Sequence, residues 1–536
     1  MKHSAAQQRR VTTPSRAVPS ARPMTDQVPW WFLALFAVVQ LLTMPGMNQP
    51  ADNLVPRIEA ANICLHGTWS IDYDHLEQAA DFTEVRGQFF YFRDDQRQVY
   101  SKYGVGYTAV YLPLFYLHRI FFPEFAQVIN SRSMLLLINL LNVGCATLVA
   151  SYLFRMARWY VEQTWLAIVF VVAVVYSTIL WHYLRSPALD VYQLLAFVAL
   201  VFHSRMFLQL RGDSRVDAAW RELWYASLWF GWLLLMRSSY AVIPPMLAIA
   251  FVALDRAPNE TWTTAAQRWM RQRWQLFRYG VLPMSVAVGV MLWTNHLKFG
   301  SPFNTGYMQW LDADGTPNAE FSWRFIPQAC RAFFWTLGNY NLFTHAPLVL
   351  FAFLGYPAFI RHARRDALLC AGFLAAVVAP LLCYEQYHGE WCYGPRYLVP
   401  IMPLVTLPVV FVLQRWSHGR STSNYWRWGA LVSVLLVSFY LQCCVNLFHY
   451  FAYQNARDYC SVFRNAEVKA YFERSVHRGL ICHDLLLFRL SVRAFPPLQI
   501  AASNTAADTQ QLCDVVADKV RLLTTTNSFF VSSPLD

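Results

Sequence analysis

Ionisable residues are scarce in this sequence, and a few of them gather where they could act on a hydroxyl or a phosphate. Asp52, Arg57 and Glu59 follow the first apolar segment, in DNLVPRIEAANICLHGTWSIDYDH. Leu54, Ile58, Ala61 and Leu65 recur at helical spacing, which predicts an amphipathic helix over 54–66 lying on the membrane surface. An aspartate at the start of such a helix could serve as general base toward an acceptor hydroxyl. The plainer reading is that Asp52 caps the helix through its first amides.

Further along the same loop comes RGQFFYFRDDQRQVYSKYGVGY. Residues 88–92 and 98–103 read as two short strands, with RDDQR as the turn between them. That makes Asp94 and Asp95 a solvated hairpin tip before it makes them a metal pair. Lys102 then arrives beside Tyr103 at headgroup depth, to meet a phosphate or simply to snorkel. Asp312 and Asp314, in LDADGTPNAE, form a DxD that could take a divalent cation, although Gly315 and Pro317 mark a loop tip. In YEQYHGEWCYGPRYLVPIMP the residues Glu385, His388, Glu390, Tyr393 and Arg396 crowd in front of an apolar run. The Arg396 guanidinium suits two-pronged phosphate recognition or an interfacial anchor. Asp190 and Arg185 lie at the end of another apolar segment, where ionisable groups are functional candidates.

The elements that must position these residues are membrane helices. Of the 536 residues, 56% are hydrophobic and 14% charged, against roughly 25% charge in a soluble domain. So few charges exclude both a water-soluble globule and a disordered chain. The fold class expected is an all-α polytopic membrane protein. About twelve apolar segments are candidates, the first at 29–46. The loops 155–163, 208–222, 256–278, 361–366 and 415–427 carry arginines and are assigned to the cytoplasm by the positive-inside rule. The net charge of +12 then marks cytoplasmic loops and not nucleic-acid binding.

Parity makes 104–122 the odd segment. Its tyrosines, Pro113, His118 and Arg119 fit an interfacial helix that does not cross. The expectation is eleven or thirteen transmembrane helices, with interfacial helices and a small hairpin in the first outside loop. The N-terminus is inside and the C-terminus outside. Residues 1–28 read as a disordered cytoplasmic tail, 29–448 as the multispan domain with 47–132 its first outside loop, and 449–536 as an outside tail or small domain.

Eleven cysteines include two candidate bridges, Cys383 with Cys392 and Cys482 with Cys513, if the outside compartment oxidises. The sequence has no CxxC, HExxH, Walker A or GxGxxG, so a nucleotide-driven pump is unsupported.

One cytoplasmic tail, one span and a long outside loop with an early acid resemble the GT-C membrane glycosyltransferases, the protein mannosyltransferase and lipid A aminoarabinose transferase group. Three stretches look like a bacterial multispan subgroup: DNLVPRIEAANICLHGTWSIDY with YSKYGVGYTAVYLPLFYL, then FGSPFNTGY, then GEWCYGPRYLVPIMP. The resemblance covers the layout of roughly 30–450.

It implies a sugar moved from a polyprenyl-phosphate donor to an acceptor on the outer face of the cell inner (plasma) membrane. Asp52 would be the catalytic base. Lys102 and Arg396 would hold the donor phosphate, and Arg57, Tyr103, His388, Glu390 and Tyr393 would contact substrate. The implied partners are membrane lipid, that donor and an unknown acceptor. No cofactor is implied, and a divalent metal stays an open alternative. The chain departs from the group in two places: Tyr103-Gly104-Val105-Gly106 replaces a paired-proline element after the lysine, and the first acid is single.

The competing class is a transporter or flippase of a lipid-linked or anionic solute. That class would show charges at mid-span and broken helices in two matching halves. Here the charges sit at segment ends, and Pro244–Pro245 breaks one segment without a counterpart.

Overall fold

The computed structural model describes residues 27–44, 51–72, 90–93, 98–123, 131–185, 188–257, 259–306, 321–335, 341–385, 387, 394–418 and 423–448. It is an all-α polytopic membrane protein with one small sheet.

The principal helices in chain order are α1 (Trp30–Thr43), α2 (Ala51–His66), α3 (Val105–Phe121), α4 (Arg132–Arg158), α5 (Thr164–Tyr176), α6 (Leu180–Arg185), α7 (Leu189–Gly212) and α8 (Val216–Met236). After them come α9 (Ile243–Asp255), α10 (Trp262–Arg271), α11 (Leu282–Phe299), α12 (Leu342–His345), α13 (Leu348–His362), α14 (Arg364–Leu382), α15 (Met402–Thr406), α16 (Val409–His418) and α17 (Ser423–Phe448). Among the described residues six stretches are long and apolar enough to cross a membrane: Ser133–Arg158, Leu189–Gly212, Ser238–Asp255, Arg273–Phe299, Arg364–Leu382 and Arg396–Ser417. Trp30–Thr43, Thr164–Tyr176 and Leu348–His362 are shorter apolar helices.

Local sequence sets the ends of these helices. Ser131 caps α4 by accepting from the Met134 amide at 3.2 Å, and the 27-residue helix that follows is about 40 Å long. Gly300 ends α11 in the left-handed region at φ 73°, which glycine enters without a Cβ penalty. Pro244–Pro245 does not break a span. The pair sits in the first turn of α9, after a 3₁₀ turn at Ser238–Val242, where missing amides leave no helix bond unmade. Residues 164–182, an unbroken apolar stretch by hydropathy, form two helices, α5 and α6, separated at Ser177–Ile179.

α7 is the axis of the bundle. Its residues are buried without interruption from Leu189 to Phe202, which is the signature of a helix surrounded by others. α4 runs parallel to it: Tyr192 donates to Asn142 at one level and Tyr152 meets His203 at another. α8 returns antiparallel after the short turn at 213–215.

The two ends of the bundle differ in chemistry. At one end the arginine-rich loops lie against one another. Arg205 pairs with Asp366 at 3.3 Å and stacks over Trp159 at 4.3 Å, and Tyr160 donates to Asp366. Arg211 and Arg268 share Asp255 at 3.0 and 2.5 Å, and Arg268 also binds Glu260. Four of the five loops grouped by their arginines, 155–163, 208–222, 256–278 and 361–366, therefore share an end. The opposite end carries α2, α3 and the sheet.

That sheet is antiparallel, in the order β1 (Ile71–Asp72), β3 (Gln98–Ser101), β2 (Phe90–Arg93). The hairpin expected over 88–92 and 98–103 is β2 and β3, with Phe92 opposite Val99, and β1 is a third strand that the pattern did not announce. The Asp94–Asp95 turn lies outside the described residues.

The segment read as interfacial is helical, and its contacts show how it runs. At its start, Gly104 and Gly106 abut the backbone of Leu235 and Met236, at the end of α8. At its far end, His118 bonds Ser131 and Ser133, at the beginning of α4. Both sets of partners belong to the same end of the bundle. α3 therefore runs across that end and not from one end to the other.

Candidate functional site

α2 lies along α3 and delivers two buried charges. Arg57 stacks over Tyr111 at 5.5 Å; Tyr111 meets Tyr192 edge-on at 5.8 Å, and Tyr192 donates to Asn142 at 2.6 Å. This row of rings ties α2 through α3 to α7 and α4. Two residues after Arg57, Glu59 is fully buried. Thr108 of α3 donates to its Oε2. Lys298, near the end of α11, places its Nζ 2.5 Å from Oε1. Burial pushes the Glu59 carboxyl above its ordinary range, while Lys298 and Thr108 pull in the opposite direction without reversing it. The Lys298 ammonium also donates to the Tyr103 carbonyl at 3.4 Å and lies 5.6 Å from the Trp69 ring.

Lys102 is buried beside these groups, its Nζ 5.6 Å from the ring of Tyr103. It is enclosed by the chain that continues from Lys298. After the turn at Gly300, that chain brings Gly306 so close that a Cβ there would stand 2.4 Å from the Lys102 Cα. FGSPFNTGY therefore ends on the lysine of YSKYGVGY, which joins two of the three motifs. The glycines that stand in place of the paired prolines have a similar use. A Cβ on Gly104 would lie 2.2 Å from the Leu235 carbonyl oxygen, and one on Gly106 would lie 2.8 Å from the Met236 amide nitrogen.

The third motif arrives at the same corner. Arg237, directly after α8, stacks over Tyr397 at 4.3 Å. The neighbouring Arg396 opens a 3₁₀ turn, Arg396–Ile401, and its Nε donates to Asp190 Oδ2 at 3.0 Å, in the first turn of α7. Tyr240 donates to Gln193, one turn further along α7. Gly394, at φ 64°, lets the chain pass over the ring of His345. Lys102 and Arg396 thus both pack on the Leu235–Arg237 end of α8, the first through Gly104 and the second through Tyr397.

Several cations are buried or half-buried in the described part of this end. Among the described residues the buried lysines and arginines are Arg57, Lys102, Arg185 and Lys298, and the buried carboxylates are Glu59 and Asp190. Arg237 and Arg396, less deeply placed, add to the positive side. A phosphate offers several acceptors to guanidinium and ammonium donors of this kind.

Asp52 is the second residue of α2, in the first turn, where the helix dipole favours a negative charge; its side chain lies outside the description. His388, Glu390, Tyr393, Asp312, Asp314, Cys392, Cys482 and Cys513 lie outside the described residues, and with them both candidate bridges. Among the described residues no group of three or more His, Cys, Asp or Glu comes together. Three participants escaped the motif reading: Glu59 as a buried partner, Lys298 and Arg237. The signal for the first was Lys298 itself, a cation inside the last turn of an apolar segment.

No protein-family model matches this sequence, and no curated protein matches it. Solved structures do resemble the fold. ArnT from Cupriavidus metallidurans bound to undecaprenyl phosphate aligns with 92% of this chain and 77% of its own, at TM-score 0.48 and 13% identity. Its apo state gives TM-score 0.48 and 12% identity over 92% and 76%. The archaeal oligosaccharyltransferase AglB from Archaeoglobus fulgidus, in complex with an inhibitory peptide and a dolichol-phosphate, gives 0.45 and 10% over 83% of this chain and 59% of its own.

Proposed function

We propose that this chain is a membrane glycosyltransferase that moves a sugar from a polyprenyl-phosphate donor to an acceptor, with its site at the end of the bundle formed by α2, α3 and the 3₁₀ turn at Arg396. The observation that carries the reading is that the three sequence motifs meet at that end: Gly306 closes on the backbone of Lys102, and Tyr397, beside Arg396, packs on Arg237 at the end of α8. The order and content of the three sequence motifs support it as well.

In this reading the donor phosphate lies against Lys102 and Arg396, and the prenyl chain runs into the bilayer. The acceptor hydroxyl approaches the anomeric carbon as its proton passes to the Asp52 carboxylate. The new C–O bond forms as the bond from the anomeric carbon to the phosphate oxygen breaks. The electron pair leaves on polyprenyl phosphate, whose charge the two cations stabilise. Arg57 and Tyr103 line the approach. The end that carries the site faces the outside, and the end with Arg205, Arg211 and Arg268 faces the cytoplasm, as the positive-inside rule requires.

A conduit through the bundle is disfavoured by its middle. Along α7 from Leu194 to Val201 every residue is apolar and buried.

The test is transfer itself. Purified protein in lipid nanodiscs is given labelled polyprenyl-phosphate sugars and a delipidated cell-envelope extract as acceptor source. Label moves into the extract with the wild-type chain. With Asp52→Asn the rate drops by about 10²-fold or more, the scale of general-base catalysis. An unchanged rate with Asp52→Asn removes that residue from the mechanism.

A further inference from the structure

We propose that Glu59 and Lys298 are positioning residues that fix where Lys102 stands for the donor phosphate. The inference rests on the proposed function and names the device that sets the phosphate contact of that site.

Glu59 and Lys298 come from α2 and α11, 239 positions apart, and meet at 2.5 Å with both side chains almost wholly excluded from solvent. Two apolar residues would hold a helix contact at least as well, because a buried ion pair gives back much of its attraction in lost hydration. What the pair supplies beyond adhesion is direction. The Glu59 carboxylate is held on one oxygen by Thr108 of α3 and on the other by Lys298. The Lys298 ammonium reaches on to the carbonyl of Tyr103, the residue that follows Lys102.

The same lysine starts the second tie. Two residues later Gly300 reverses the chain, and Gly306 closes on the backbone of Lys102. Lys102 is therefore held from both sides by one segment, 298–306, and the Glu59 carboxylate anchors that segment to the helix that carries Asp52 and Arg57. The anchoring carboxylate is paired with Lys298.

The test compares Glu59→Gln, Lys298→Met and the double variant, which replaces the ion pair by a neutral pair of similar shape. Three quantities are read: thermal midpoint, undecaprenyl phosphate affinity by native mass spectrometry, and the rate at which an acetylating reagent modifies Lys102. Each single variant lowers the midpoint. The double variant regains it but binds undecaprenyl phosphate about tenfold more weakly, as expected for a displaced contact group, and its Lys102 is modified several-fold faster. In turnover its donor KM rises and its kcat falls, because Lys102 both holds the phosphate and stabilises it as the leaving group.

A double variant with wild-type affinity and wild-type Lys102 reactivity overturns the proposal, since a merely adhesive pair would behave that way. Should the double variant not fold, Gly306→Ala decides. It leaves the ion pair intact and displaces Lys102 directly, so unchanged affinity and reactivity overturn the proposal. If the wild-type chain binds no undecaprenyl phosphate, the proposed function fails instead, and the Lys102 reactivity alone decides the positioning role.

Discussion

Arg396 and Asp190, 206 positions apart, meet through one hydrogen bond of 3.0 Å from Nε to Oδ2. The acid sits in the first turn of α7 and the arginine opens the turn that leads into α15 and α16. The bond aims a guanidinium from the central helix of the bundle.

The first prediction concerns this pair. With side chains 12% and 4% exposed, it is largely desolvated. Asp190→Ala removes this buried partner of the arginine and should cost about 3 kcal/mol of stability, read as a lower midpoint in thermal unfolding. Arg396→Lys keeps the charge but loses the fork, so it should lower donor affinity more than stability. Equal effects of the two variants on both quantities would contradict the aiming role.

The second prediction concerns the glycines at the start of α3. Gly104→Ala places a Cβ against backbone atoms of Leu235 and Met236 that have no rotamer to yield. A loss of about 3 kcal/mol is expected, the upper part of the usual range for overpacking. Gly144→Ala in α4, where a Cβ meets nothing within 4 Å, should be near neutral. Thermal midpoints of the two variants check the contrast.

The third prediction is a pH dependence. His345 lies in α12, outside the candidate spans, and its Nδ1–H donates to the Asn341 carbonyl at 2.8 Å. Burial pushes its pKa down from 6.5 to about 4. The folded ring stays neutral while the unfolded one takes up a proton, so its contribution is complete above about pH 6.5. It is lost progressively as pH falls toward 4, by about 3 kcal/mol at most. His345→Asn keeps a donor for Asn341 without the titration. The variant should lose that part of the slope of thermal midpoint against pH between 4 and 7. The same slope in both proteins would remove His345 as its source.

The fourth prediction is orientation. Phe303 is 77% exposed beside the site, and Trp274 is 72% exposed at the arginine-rich end. In a chain whose other cysteines are replaced, Phe303→Cys should react with a membrane-impermeant maleimide in intact cells, and Trp274→Cys only after lysis. The reverse pattern would place the site in the cytoplasm.

Much of the fold was legible because membrane helices advertise themselves by run length. Six of the apolar segments are helices long enough to cross, and arginines sorted their loops onto one end. The hairpin was legible from alternation around Phe90–Phe92 and Val99. The split of 164–182 into α5 and α6 was not, since Ser177 and Thr178 interrupt hydropathy too weakly to mark an end. At the site, Lys102, Arg396 and Arg57 could be named because charge is rare in this chain. Their relations could not. Lys298 to Glu59 and Arg396 to Asp190 are pairings across some two hundred positions, which only the packing of the bundle brings together.

The most direct measurement is a binding comparison between undecaprenyl phosphate and undecaprenol, which differ only by the phosphate. Saturable binding of the phosphate and little binding of the alcohol are expected for the wild-type chain. Lys102→Gln and Arg396→Gln should each weaken the phosphate by about tenfold, the size of one lost charge-assisted contact. Equal affinity for the two lipids, or phosphate binding that ignores both substitutions, would contradict a phosphate site at this end of the bundle.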